Sequence, residues 1–173
     1  METIKFFRLF SSFFMLSFLS FSAYALNSGG YAQLSSSQNQ SANGPVNLAF
    51  IDKVDSLQNM SSTQNKVIVK ADGIYFVMAA GQIGAIKKGV VDNGYVDLWL
   101  VQNGKVVANS NTRLTVNNAA TGVLVSQTLM PLKAGDTISV GFSASDPSLG
   151  LVTIPATNGE PAIPSIIFSM HKV

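Results

Sequence analysis

His171 carries the only imidazole in the chain, and it stands two residues before Val173. Acid–base catalysis or zinc binding through that ring needs partners, yet the sequence has no second histidine and no cysteine. Gly141-Phe142-Ser143-Ala144-Ser145 resembles a nucleophile elbow, but the closing glycine is missing and the surrounding pattern is that of strands. A carboxylate pair for glycoside cleavage would have to come from scattered aspartates, because Glu160 is the only glutamate beyond Glu2. No catalytic residue is assigned, and the chain is read as a non-enzyme. The densest set of oxygen ligands is Asp92-Asn93 with Asp97, followed by Asp52-Lys53-Val54-Asp55. Calcium takes about 6–8 oxygens, and neither stretch has the spacing of an EF-hand loop. Asp92 and Asp97 are kept as candidate calcium ligands against the plainer reading of solubilising loops. No other cofactor is expected.

Charge is sparse, with 11 Lys+Arg against 9 Asp+Glu in 173 residues. The basic residues are scattered and Lys87-Lys88 is the one adjacent pair, so there is no footprint for nucleic acid. Ser, Asn, Thr, Gln and Gly supply most polar positions, which suits strands and turns better than surface helices.

The first 25 residues read as a secretory signal peptide. Lys5 and Arg8 precede an apolar run from Leu9 to Phe21 that is interrupted by serines, and Ala23-Tyr24-Ala25 is a small-x-small cleavage site. A spanning helix needs about 20 consecutive apolar residues, and this run is shorter. Cleavage is expected between Ala25 and Leu26, releasing a secreted or cell-surface protein with no stable membrane insertion. Export without cysteine, and so without disulfides or a lipid-modified cysteine, fits a bacterial protein.

Residues 26–45 are polar and turn-rich, with one short strand at Tyr31–Leu34. Residues 46–58 are ambiguous: Phe50, Val54 and Leu57 have helical spacing, whereas Val46, Leu48 and Phe50 alternate as in a strand. From Val67 onward the strand pattern is steady. Asn103-Gly104 is the strongest hairpin signal, since both residues tolerate positive φ. Ile138, Val140 and Phe142 alternate with polar or small residues, as do Ile166, Phe168 and Met170. Many short strands separated by turns imply an all-β sandwich or barrel.

The run Ile74 to Ala80 is apolar on both faces, Tyr75, Val77 and Ala79 on one and Ile74, Phe76, Met78 and Ala80 on the other. The outer face of a monomeric antiparallel sheet is normally polar, so self-association or a packed loop is expected to cover one of them. Tyr75 and Val77 are the candidate residues of that face. Trp99, opposite Val96, Leu98 and Leu100, is a third candidate or else a single exposed aromatic.

Val46-Asn47-Leu48-Ala49-Phe50, the stretch from Lys66 to Phe76, Val96 to Gly104, Leu132-Lys133-Ala134-Gly135-Asp136-Thr137-Ile138 and the closing strand from Ile163 to Met170 follow one another as in a known family. In order and spacing the chain resembles the C1q-like domain of the C1q and tumour necrosis factor superfamily over most of residues 30–173. Phe50, Gly73, Tyr75, Asn103, Gly104, Gly135 and Asp136 are the matching structural positions. Val67 and Val77 stand where the family has aromatics, and no collagen-like stalk is present. The resemblance implies a jelly-roll sandwich of about ten antiparallel strands occupying 46–173. It also implies a homotrimer acting as a binding module, adhesin-like, for a protein or glycan surface. A structural subunit of a bacterial surface layer, coat or shell is the competing reading, with 26–45 as a docking arm.

Overall fold

The computed structural model describes residues 29–86, 93–117 and 120–173. Ala25, Leu26, Lys87, Lys88 and Asp92 therefore lie outside the described residues. Within them the chain is all β, and every strand pairing is antiparallel.

The first half contributes β1 (Tyr31–Ser36), β2 (Gln40–Ser41), β3 (Asn47–Leu48), β4 (Lys53–Gln58), β5 (Met60–Thr63), β6 (Lys66–Val69) and β7 (Gly73–Ala85). The second contributes β8 (Asn93–Gln102), β9 (Lys105–Val106), β10 (Thr112–Asn117), β11 (Gly122–Leu132), β12 (Thr137–Ala144), β13 (Leu149–Leu151) and β14 (Ile166–Lys172). Two sheets form. Sheet I runs β4-β1-β14-β7-β11, with β13 and then β2 continuing beside the far end of β7. Sheet II runs β10-β8-β12-β6-β5, with β3 beside β12 and β9 beside β8. The long β7 is the spine of sheet I: β11 pairs with it from Gly73 to Ile83, while β14 and then β13 share its other edge.

The core lies between the sheets. Leu34, Tyr75, Val77 and Phe168 enter it from sheet I, and Leu98, Leu100, Val140 and Phe142 from sheet II. The period-2 alternation of β8, β12 and β14 reports this face directly. β1 is an interior strand, paired with β14 on one side and β4 on the other. The sandwich therefore begins before residue 46, and the segment read from sequence as a polar lead-in is partly built into sheet I. Within that segment, Tyr31–Ser36 has both hydrogen-bonding edges occupied. The ambiguous 46–58 stretch resolves into β3 and β4 rather than a helix.

Turns follow local chemistry. Asn103 and Gly104 take φ of 51° and 76° and join β8 to β9. Gly135 takes φ of 92° between β11 and β12, where a side chain would be strained. Asp136 then ties the two turns together. Its carboxylate accepts from the Lys133 amide at 2.9 Å, Gln102 Nε2 at 3.0 Å and Asn103 Nδ2 at 2.8 Å. Asn103 Oδ1 in turn accepts from the Thr137 amide at 2.8 Å. These hydrogen bonds hold the Asp136 pKa below the ordinary carboxylate value, the Lys133 amide contributing most. At the same end, Tyr75 donates its hydroxyl to the Ala71 carbonyl at 2.8 Å, and Gly73 leaves the space that the Lys172 side chain crosses.

Candidate functional site

The outer faces of the two sheets are built differently. On sheet I, the outward positions are the even residues of β7 and the odd residues of β1, β11 and β14. Register aligns them in rows across the strands. One row is Tyr31, His171, Phe76 and Leu129. Another is Ser35, Ile167, Ala80 and Val125, and at the near end Ile74 lies beside Pro131. Between the two longer rows runs a row of Gln33, Ser169, Met78 and Gln127. Several of these apolar groups are open to solvent, with Leu129 and Val123 exposed at 62% and 61%. No Lys, Arg, Asp or Glu occupies an outward position of β7, β11 or β14. Formal charges flank the face: Lys53 and Asp55 pair at 3.0 Å on β4, and Asp72 and Lys133 stand beside Ile74 and Pro131 at the near end. An uncharged apolar centre with a charged rim has the composition of a protein–protein interface. His171 belongs to this face, its ring 5.5 Å from that of Phe76.

On sheet II the outward positions of β8 are Tyr95, Asp97, Trp99 and Val101, and the chain covers them itself. Trp99 lies against Gly141 of β12, in the volume a Cβ would fill. Ser139 and Ser143, on the same face of β12, keep that strand low beside it. Trp99 is buried although it is not part of the inter-sheet core, and its Nε1–H has no acceptor among the described residues. Arg113 crosses from β10 and grips Asp97 with two hydrogen bonds, Nε to Oδ1 at 2.7 Å and Nη2 to Oδ2 at 2.8 Å. The same guanidinium stacks 3.7 Å above the Tyr95 ring.

These placements correct the sequence reading of the self-association face. Tyr75 and Val77 point into the core and are fully buried, so neither can meet a second protein. The outward residues of that strand are Phe76 and Met78. Trp99 lies on the other sheet beneath its own neighbours. The doubly apolar pattern was visible in sequence, but a one-residue change of register exchanges the faces, and only the pairing decides which one is inside. The exposed partners on β11, above all Leu129, were missed because their neighbourhood depends on long-range register.

Phe50, one of the family-matching positions, is 46% exposed, while Ala49 and Ile51 on either side are fully buried. Both carboxylate oxygens of Asp97 accept hydrogen bonds from Arg113, and its fellow calcium candidate Asp92 lies outside the described residues. Among the described residues no group of three His, Cys, Asp or Glu side chains could hold a metal ion. Among them, too, no helix is long and apolar enough to cross a membrane.

No protein-family model matches the sequence, and neither does any curated protein. The solved structures do offer likenesses. Two crystal structures of murine APRIL, at pH 8.5 and pH 5.0, each superpose with a TM-score of 0.51 at 14% identity, covering 84% of this chain and 99% of that chain. At this identity the likeness is one of fold, and the fold is the two-sheet jelly-roll sandwich of the tumour necrosis factor type.

Proposed function

We propose that this chain is a secreted, non-enzymatic recognition module of the C1q-like kind, assembled as a homotrimer through the outer face of sheet I. One observation carries the reading: the outward rows of Tyr31, His171, Phe76 and Leu129 and of Ser35, Ile167, Ala80 and Val125 hold no Lys, Arg, Asp or Glu, and leave Tyr31, Leu129 and Val125 exposed on a sheet whose other face is already the core. Fully burying a large apolar side chain is worth roughly 1.5–3 kcal/mol, so a few such residues sealed against a second copy supply a large part of an association energy. A second copy is the occupant that fits, because the face has no charge for a steered, transient partner to match. The number three and the C1q-like relationship rest on the succession of sequence elements described above. Function then follows from geometry: several copies fixed side by side present the same loops together, and weak contacts gain avidity.

Light scattering of the exported chain at micromolar concentration tests this. A particle of about three protomer masses is expected. A monomer at every concentration would remove the assembly and with it the avidity mechanism.

A further inference from the structure

We propose that a pocket between β2 and β3 binds a neutral sugar, one copy per protomer. The inference rests on the recognition reading above and names its ligand class. The pocket encloses about 330 Å³ and is walled largely by carboxamides, including Gln38, Asn39, Asn43 and Asn47, with Leu48 and Phe50 beside them. That volume falls at the small end of ligand sites, which span roughly 300–1,000 Å³.

The amides are anchored by one atom and present the other. Asn39 Oδ1 accepts from the amide and hydroxyl of Thr153 at 2.7 and 3.1 Å, which leaves its Nδ2 as a donor. Asn47 Nδ2 donates to the Gly44 carbonyl at 2.8 Å and to that of Phe142 at 3.3 Å, which leaves its Oδ1 as an acceptor. Asn43 is exposed and can offer both groups. Fixing one end of each amide reduces the entropy lost when a ligand is bound.

Gln40 has a different task. It is buried, and it clamps the Phe50 main chain: the Phe50 amide donates to Oε1 at 2.8 Å, and Nε2 donates to the Phe50 carbonyl at 3.1 Å. A further bond from Nε2 to Ser165 Oγ, at 3.2 Å, secures the clamp. With Ala49 and Ile51 buried in the core, this clamp leaves the Phe50 ring on the outside at the pocket wall. Val46, Leu48 and Phe50, the larger members of an alternating run, are thereby all exposed while the small Ala49 is buried. Burial alone would favour the opposite register.

Donors, acceptors and an aromatic face around an uncharged bowl select the ligand chemistry. A hydrocarbon would leave the amides unpaired, and a charged ligand would find no counter-ion among the lining groups. A neutral pyranose satisfies both halves, with hydroxyls for the amides and a C–H face for Phe50. The pocket residues lie outside the rows of Tyr31, Phe76 and Leu129 and of Ser35, Ala80 and Val125.

Saturation-transfer NMR on the exported chain, with the methyl glycosides of glucose, galactose, mannose, fucose and N-acetylglucosamine at millimolar concentration, tests the pocket. At least one should receive saturation at its ring C–H protons. Phe50→Ala and Asn43→Ala, both at exposed positions, should each weaken that glycoside by about tenfold. Saturation of none of the five, or a signal unchanged in both variants, overturns the proposal. Light scattering on the same samples separates the two claims. A trimer that binds no sugar overturns the pocket alone, and a monomer that binds sugar overturns the assembly alone.

Discussion

The two sheets close the same core from opposite sides, yet one has a finished exterior and the other does not. Sheet II spends its own side chains on its outer face. Gly141 makes room for Trp99, and Arg113 both neutralises Asp97 and roofs Tyr95. Sheet I carries more exposed apolar groups, and no side chain of the described residues lies across Leu129 or Val123. An apolar outer strand position is unremarkable when it is self-covered, as at Trp99, and informative when several on one face are left open, as at Tyr31, Val123, Val125 and Leu129. Hydrophobicity along a strand thus says less about association than whether the chain pays for the covering itself.

The largest effect should come from placing charge on the open face. Leu129→Asp is expected to cost at least about 3 kcal/mol per interface, more than a hundredfold in association, because an unpaired carboxylate would be sealed into an apolar contact. The fold should survive, since Leu129 makes little of the core, and circular dichroism checks this against the mass from sedimentation. Thr115→Asp, at an exposed outward position of sheet II, should leave the assembly intact. Equal dissociation by both substitutions would erase the contrast between the faces.

Next in size is Gly141→Ala. Its methyl group would occupy the place of the Trp99 indole, and overpacking of this kind costs about 1–3 kcal/mol. The readout is a lower unfolding midpoint in denaturant with unchanged oligomer mass. Arg113→Lys should lower the midpoint less, by keeping the charge while losing the two-pronged grip on Asp97 and the stacking on Tyr95.

The smallest effect concerns acid. The Asp136 carboxyl is held below its ordinary value of 3.8 by the Lys133 amide, then by Asn103 and Gln102. Its ionised form is favoured in the folded chain, so its stabilisation is complete above the unfolded value and is lost as pH falls through the lower folded one. Asp136→Asn should therefore lie below wild type in stability at neutral pH, and the gap should narrow on acidification below about pH 4. The same narrowing should occur in Leu129→Asp, because the staple joins turns within one protomer.

Much of the fold was legible in sequence because strand alternation and turn chemistry are local. The β8 and β14 patterns named their buried faces, and Asn103-Gly104 announced a hairpin. The candidate surface was legible only as a property, two apolar faces on one strand, and not as a set of residues. Tyr75 and Phe76 differ by one position, and the choice between them is made by pairing with β11 and β14 far along the chain. Trp99 misled for a related reason: its cover comes from Gly141, 42 positions on in the numbering, and a glycine gives no hydrophobic signal. The pocket was hidden because its amides read as turn residues until β2, β3 and the Phe50 clamp bring them together.

Hydroxyl-radical footprinting across a dilution series probes the contrast between the faces in one experiment. Phe76, Met78 and Leu129 should become protected as concentration rises through the assembly range, while Tyr95 and Phe50 label equally throughout. Labelling of Phe76, Met78 and Leu129 that does not change with concentration, in a sample whose mass shows it to be assembled, would contradict association through sheet I.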